Sequence, residues 1–431
     1  MSEYTIAVVG LGKLGLPLAA QFAHAGQQVI GCDISPEVVA SVNAGHSHVK
    51  EEPGLEELVR DAVEAGRLTA TTNTTEAVRK SNVVVIIVPV MVDEASHEVD
   101  FTSIDAATAA VAAGLRPDTL VIYETTLPVG TTRNRFGPML ERGSGLRVGR
   151  DLFLAFSPER VYSGRIFRDL KQYPKVLGGV TTPCTERADK FYKTALENVD
   201  TLVMKNADAA EFVKLIETTY RDVNIGLANE FARFAAEHDL PVDEAIFAAN
   251  SQPYSHILRP GIAVGGHCIP VYPYFLINQS PPGEMSLPLR ARAINDDMSA
   301  WALRRLDTEL GGLSGKKILV LGLAYRENVK ETAFSGAIRL VSELKDAGAI
   351  PLLNDPLYTD EEISRFGATP VSLEDPPSGD AVILQAYHEQ YRSLDWRSLS
   401  TLGYKVLLDG RNSLDRPTIE VAGMRYMGIG R

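Results

Sequence analysis

Twice along this chain a short run of β-branched and aliphatic residues breaks off into Gly-Leu: at TIAVVGLGKLG from Thr5 and again at KILVLGLAYRE from Lys317. Strands this apolar on both faces fit the middle of a parallel sheet covered by helices on either side, with glycine where the chain turns sharply into the next helix. The pattern extends around each run. From residue 4 to about 205, QQVIGCD, NVVVIIVP and TLVIYE alternate with alanine-rich or amphipathic stretches, and after Lys317 the runs AIPLLND, AVILQA and KVLLDG follow. The expected class is α/β, with two doubly wound domains.

Residues 207–239 separate the two regions. They contain no Pro and a single Gly, Gly226, and their apolar residues keep helical spacing well beyond an average helix, so a long connecting helix is expected. A loop rich in Pro and Gly (252–273) and a further helical stretch near 287–310 follow. The expected organisation is an amino-terminal domain over 1–205, a central helical segment over 206–312 and a second α/β domain over 313–431.

A chain of 431 residues is too long for one compact domain of usual size. Its net charge of -12 and pI near 5.3 argue against nucleic acid or an anionic membrane as partner, since such surfaces attract clustered Lys and Arg. MSEYTIAVVGLG enters an apolar strand at once without a basic leader, and no apolar run reaches membrane-spanning length, so a cytoplasmic protein is expected. Cys32, Cys184 and Cys268 are too scattered for a disulfide framework, and the His residues lack ligand spacing, so no metal is expected.

Gly10, Gly12 and Gly15 form GxGxxG between a strand and a helix, where backbone N–H groups can approach a pyrophosphate. Asp33 closes the next strand, where a carboxylate would bond a ribose 2′-OH and repel a 2′-phosphate. The glycines alone are a weak signal and match ordinary turns; strand, helix and acid together point to NAD bound to a Rossmann-like domain. The second region lacks the full glycine set, so it is expected to hold something other than a dinucleotide.

Cys268 lies in RPGIAVGGHCIPVYPYF, where Gly265 and Gly266 permit close backbone approach and prolines stiffen the loop. An arbitrary cysteine is most often a small buried hydrophobe; the flanking glycines and His267 weigh toward a reactive thiol. Lys214 sits on the long helix with Glu211 and Glu217 three residues to either side, a spacing that by itself reads as a solvated ion-pair face. Glu159 in FSPERVYSG and Thr126 in YETTLPVGTT fall just past strand ends, the edge where doubly wound sheets bind ligands. Each alone is ambiguous, because turns routinely contain such residues.

Taken in order and spacing, the glycine fingerprint with Asp33, TTLPVGTT, SPER, AAEFVKLIETTYRDVNIGLANE, GGHCIP and LLDGRN resemble the UDP-glucose/GDP-mannose dehydrogenase family across nearly the whole chain. GGHCIPV with PYF, and RDVNI with ANE, are most similar to the branch acting on UDP-N-acetylhexosamines such as UDP-N-acetylmannosamine or UDP-N-acetylglucosamine. The resemblance implies a four-electron oxidation with two NAD per sugar, the C6 hydroxyl passing through an aldehyde, a thiohemiacetal and a thioester to a uronic acid for polysaccharide biosynthesis. It assigns Cys268 as nucleophile, Lys214 as the cation beside the developing oxyanion, Glu159 as general base through water, and Thr126 as a residue beside the nicotinamide. Arg259 and Gly261 would cradle the nucleotide, and Arg326 and Arg411 would hold its diphosphate or sugar, with the site in the cleft between first and last domains. His267 is taken as a residue that shapes the sugar pocket. The long helix would make a homodimer or a higher homo-oligomer.

Three positions depart from the family pattern. Tyr272 stands where Asp is usual, Thr218 where Asn is usual, and Ala333 where Arg is usual. An intact enzyme with a rearranged water network, a two-electron enzyme or one for a modified sugar, and a non-catalytic nucleotide-sugar binding protein follow in that order. A β-hydroxyacid dehydrogenase is a more distant alternative, since it needs neither the cysteine loop nor a second α/β domain.

Overall fold

The computed structural model describes residues 3–93, 96–162, 164–196 and 199–431. The chain packs as two compact units, Met1–Glu217 and Thr218–Arg431.

The first unit is built on strands β1 (Thr5–Val9), β2 (Gln28–Cys32), β3 (Leu68–Thr71), β4 (Val83–Ile86), β7 (Leu120–Tyr123), β8 (Phe153–Phe156), β9 (Lys175–Gly179) and β10 (Thr201–Val203), with β5 (Met91–Val92) and β6 (Val99–Asp100) forming a separate short hairpin. The sheet order is β10-β9-β8-β7-β4-β1-β2-β3. Strand β1 pairs with β2 on one side and β4 on the other, Val9 facing Cys32 and Ile86, so the strand order reverses at its carboxyl end. That is where a crevice for a ligand opens in such sheets. The VVVI of β4 and LVIY of β7 are buried throughout, as expected of central strands with helices on both faces. Ile6, Val8, Leu16, Phe22, Val85, Ile122 and Phe191 share this core.

The parallel pattern ends at one edge of the sheet. β9 runs antiparallel to β8, with Ala155 opposite Gly179, and β10 follows β9. Among the described residues, the segment between β8 and β9 has one helix, the seven-residue Ile166–Gln172. It returns from the carboxyl end of β8 without crossing a sheet face, and an antiparallel neighbour needs no crossover.

The second unit holds β11 (Lys317–Leu321), β12 (Ile350–Asn354), β13 (Thr369–Pro370), β14 (Ala381–Leu384), β15 (Val406–Asp409) and β16 (Arg425–Gly428) in the all-parallel order β13-β12-β11-β14-β15-β16. Its order reverses at β11, which repeats the plan of the first sheet. Met298, Ala302 and Leu306 of the helix Met298–Leu310 share a core with Ile318, Val320 and Leu340, so this helix packs with the sheet that follows it.

The long helix runs over Ala207–Glu237, 31 residues, and the boundary between the units falls within it. Gly226 is kept in its interior despite a cost of about 1 kcal/mol relative to alanine. A Cβ there would lie 3.0 Å from the Ala291 Cβ, so the missing side chain lets a second helix, Ser286–Asp296, pack close. Among the described residues no helix is long and apolar enough to cross a membrane.

Candidate active site

In the first unit the glycine turn is shaped for a diphosphate. Gly10 has φ +94°, and a Cβ on Gly15 would sit 1.8 Å from the Gly10 carbonyl oxygen, so the helix Gly15–His24 can begin where it does only without a side chain. Gly12 faces open space, where backbone and helix N-terminus can receive an anion. Asp33 Oδ2 accepts from the Leu11 amide at 2.9 Å and Oδ1 from Ser35 at 3.0 Å, which fixes a half-exposed carboxylate beside the turn. These residues fit NAD: an open glycine cradle with an acid held at the end of β2.

The second unit repeats the construction with a different outcome. Asp355, one residue past β12, accepts from Leu323 and Ala324 amides at 2.7 and 3.0 Å through Oδ2 and from Leu357 at 2.9 Å through Oδ1, and the same Oδ2 meets His388 Nε2 at 3.0 Å. The Asn328 amide donates to His388 Nδ1 at 2.9 Å, which leaves the ring proton on Nε2 facing Asp355. Both side chains are fully buried. The acid at this position is therefore spent on holding the 323–328 segment, which carries Arg326, and is closed to a ribose.

Thr126 is buried past β7. The turn that follows it is tied to the long helix by Glu211, which accepts from the Gly130 amide at 2.5 Å and the Thr132 amide at 2.8 Å. Burial raises the Glu211 pKa to about 7 against the pull of those donors. The two acids flanking Lys214 find partners on other segments. Glu211 turns to these amides, Glu217 meets Arg160 at 2.6 Å, and the Lys214 ammonium donates to the main-chain carbonyl of Glu159 at 2.7 Å. A backbone polar group and a buried turn compete better for these side chains than solvent-exposed pairing does.

Glu159 itself is held from two sides: Oε1 accepts from the Arg160 amide at 2.8 Å, and Oε2 from Lys175 Nζ at 2.8 Å. Burial works against its charge, but Lys175 beside it holds the carboxyl below the usual range. Lys175 also donates to Glu124 Oε2 at 2.8 Å, and Tyr192 donates to Glu124 Oε1 at 2.5 Å. Sequence reasoning missed Glu124, Lys175 and Tyr192. A lysine opening the otherwise apolar, fully buried run KVLGG was the available signal, because such a charge requires a buried partner.

In the second unit Cys268 is exposed, in a loop fastened at several points. The Gly266 amide donates to the Ala333 carbonyl at 2.8 Å, and His267 Nε2 meets Glu331 Oε1 at 2.7 Å. Gly266 has φ +91°, and a Cβ on Gly265 would lie 2.6 Å from the Tyr325 Cβ, so both glycines are what let the loop lie on that segment. The Tyr272 amide donates to the Cys268 carbonyl at 3.0 Å, closing the turn ahead of the helix Pro273–Ile277. Arg411 clamps the loop from below: Nε donates to the Gln385 carbonyl at 2.6 Å, Nη1 to Ala263 at 3.2 Å and Nη2 to Tyr325 at 3.1 Å. Gly261 donates to Asn229 Oδ1 at 3.0 Å, Arg259 stands exposed, and Arg326 Nε donates to the Tyr325 hydroxyl at 3.0 Å. Thr218 lies buried one turn beyond Lys214 on the same helix.

Three family models match the chain: the NAD binding domain of the UDP-glucose/GDP-mannose dehydrogenase family over 4–196, its central domain over 208–297 and its UDP binding domain over 319–416. A relative from Pyrococcus horikoshii, named UDP-N-acetyl-D-mannosamine dehydrogenase, is 36% identical over 432 residues, covering 99% of each chain. A solved structure of UDP-D-ManNAc dehydrogenase from that organism superposes with a TM-score of 0.91 at 36% identity, covering 99% of both chains. A UDP-glucose dehydrogenase from Pyrobaculum islandicum gives 0.88 at 28%, covering 99% of this chain and 98% of that one. With an open glycine cradle for NAD in one unit and a second sheet whose acid is closed to a ribose, the chain belongs to the UDP-glucose/GDP-mannose dehydrogenase family and is an NAD-dependent nucleotide-sugar dehydrogenase.

Proposed function

We propose that this enzyme oxidises the C6 hydroxyl of a UDP-N-acetylhexosamine, with UDP-N-acetylmannosamine the first expectation, to the uronic acid at a cost of two NAD per sugar. The observation that carries the reading is the exposed thiol of Cys268 on a loop fixed by the Gly266, His267 and Arg411 contacts. A thiol positioned so rigidly suits addition to an aldehyde carbon. The sugar follows from the relative that shares 36% of its residues over full length and is named for UDP-N-acetyl-D-mannosamine.

Bound NAD supplies the hydride acceptor at each oxidation. The remaining steps belong to the chain. Lys214, steadied by the Glu159 carbonyl, is the cation for the alkoxide at C6 and later for the oxyanion of the thiohemiacetal. Cys268 adds through sulfur to the aldehyde carbon, and loss of the second hydride and a proton leaves a thioester. Glu159 takes the proton of the water that attacks this thioester, which releases the uronic acid and restores the thiol. Thr126, buried past β7, orders the nicotinamide end. Arg259, Gly261 and Arg326 serve the nucleotide and its diphosphate. Arg411 uses three of the five donors of a guanidinium on carbonyls, so its first task is to set the loop around Ala263, with the others directed at substrate oxygens. Tyr272, tied through its amide to Cys268, and Thr218 supply hydroxyls where the family has Asp and Asn.

The same reading makes the protein a homo-oligomer through the long helix, whose Phe212, Ile216, Tyr220, Leu227, Phe231 and Phe234 are exposed at helical spacing. The test of the chemistry is the number of NADH formed per UDP-N-acetylmannosamine, with mass analysis of the product. Two NADH and a carboxylate are expected from the wild type. Cys268→Ser should form no uronic acid while its NAD affinity stays within about twofold, since the glycine turn belongs to the other unit of the chain. Four-electron turnover surviving in that variant would exclude the covalent route.

A further inference from the structure

Behind Glu159 lies a chain of buried charge that the steps above do not use. Lys175, at the head of β9, bridges Glu159 Oε2 and Glu124 Oε2, each at 2.8 Å, and Glu124 receives the Tyr192 phenol at 2.5 Å on its other oxygen. Glu124 is 1% exposed and Lys175 5%. With both carboxylates ionised, this cluster of one ammonium and two acids would bury a net negative charge, an arrangement of high desolvation cost. One proton held between the acids relieves that cost, so the cluster readily accepts a proton once turnover delivers it.

The surroundings decide where that proton rests. Glu159 is supported as an anion by Lys175, by the Arg160 amide and, at longer range, by Lys214. The Arg160 guanidinium is taken by Glu217 at 2.6 Å. Glu124 faces Lys175 and Tyr192, with the Glu159 charge opposing its own, and burial raises its pKa to about 7. Beside the cluster, a cavity of about 10 Å³ is bordered by Glu159, Arg160, Asp169 and Lys175, room for about one water molecule.

We propose that Glu124 is a proton reservoir for Glu159, reached through Lys175. The inference rests on the assignment of Glu159 as the base. Once Glu159 has taken a proton, Lys175 passes one of its own to Glu124 Oε2 and receives the Glu159 proton on the same nitrogen. The ammonium is unchanged, Glu159 is again a carboxylate and Glu124 is neutral. Turnover hands Glu159 a proton at thioester hydrolysis, and this exchange returns Glu159 to the carboxylate before the next sugar. The stored proton leaves by the reverse path, through Lys175 and Glu159 to water in the adjoining cavity. Glu124 and Lys175 are in this sense positioning residues, acting through Glu159.

The test is the pH profile of kcat between pH 5.5 and 9, at saturating NAD and UDP-N-acetylmannosamine, for the wild-type enzyme and three variants. The wild type should rise through an inflection near 7. Glu124→Gln keeps hydrogen-bonding atoms for Lys175 and Tyr192 but cannot take the proton; it should lose that inflection and roughly tenfold in kcat, with KM for both substrates nearly unchanged. Tyr192→Phe removes a donor to the Glu124 carboxylate and should move the inflection upward. A wild-type profile in Glu124→Gln overturns the proposal, and if that variant does not fold, an unmoved inflection in Tyr192→Phe does so. Glu159→Gln separates the two layers. Wild-type kcat in that variant removes the base assignment, whereas its loss combined with an unaffected Glu124→Gln removes the reservoir alone.

Discussion

The glycines of the first turn carry distinct burdens that a shared motif conceals. Gly12 borders open space, which leaves room for the proposed NAD contact, whereas Gly15 is kept for the chain, because a Cβ there would meet the Gly10 oxygen at 1.8 Å. Gly15→Ala should therefore lower the melting temperature as well as weaken NAD binding by at least about tenfold, since overpacking of this kind costs about 1–3 kcal/mol; calorimetry and a fluorescence titration with NAD measure the two effects. Unchanged melting and binding would mean that the turn relaxes freely. At this scale the glycine turn and its acid were legible because strand, turn, helix and acid are close in sequence. Lys214 was placed on its helix correctly, but its partner was not readable: the carbonyl of Glu159 lies 55 residues away and is a backbone atom, which no residue type announces.

Among the elements, the long helix does more than connect. Through Glu211 it caps the turn after Thr126, accepting the Gly130 and Thr132 amides from within a buried site. Burial raises the folded-state pKa of this acid to about 7, above that of an unfolded glutamate, so the folded protein binds the extra proton more tightly. Its contribution is present in full below the unfolded value and is lost as pH rises through 7. Relative to Glu211→Gln, which cannot titrate, the wild type should lose stability between pH 5 and 8, by about 3 kcal/mol. Urea unfolding of both proteins at several pH values gives this difference, and parallel curves would place the proton elsewhere. The antiparallel turn of β9 belongs to the same scale. Its sequence, KVLGG, reads like any buried strand, and direction is set by the path of the connection, which apolar periodicity does not encode.

For the molecule as a whole, the exposed apolar stripe of the long helix predicts assembly. Tyr220→Glu combined with Phe234→Glu, two residues 54% and 57% exposed, should shift the protein to a smaller species in sedimentation without altering the circular dichroism of the fold. The same mass before and after would move the interface off this helix. The sequence by itself determined the two α/β sheets, the long helix, the NAD turn with Asp33 and the loop that carries Cys268. Those features rest on local period, glycine placement and short motifs, all of which act over a few residues. Only the tertiary structure decided which charges meet. It joined Glu124, Lys175, Glu159 and Tyr192 from separate strands and a helix, gave Asp355 to His388, and fastened the cysteine loop through Gly266 and His267 to the segment around Glu331. A buried charge takes whichever partner the packing brings within about 3 Å, and that choice depends on how distant segments fold together rather than on the residues beside it.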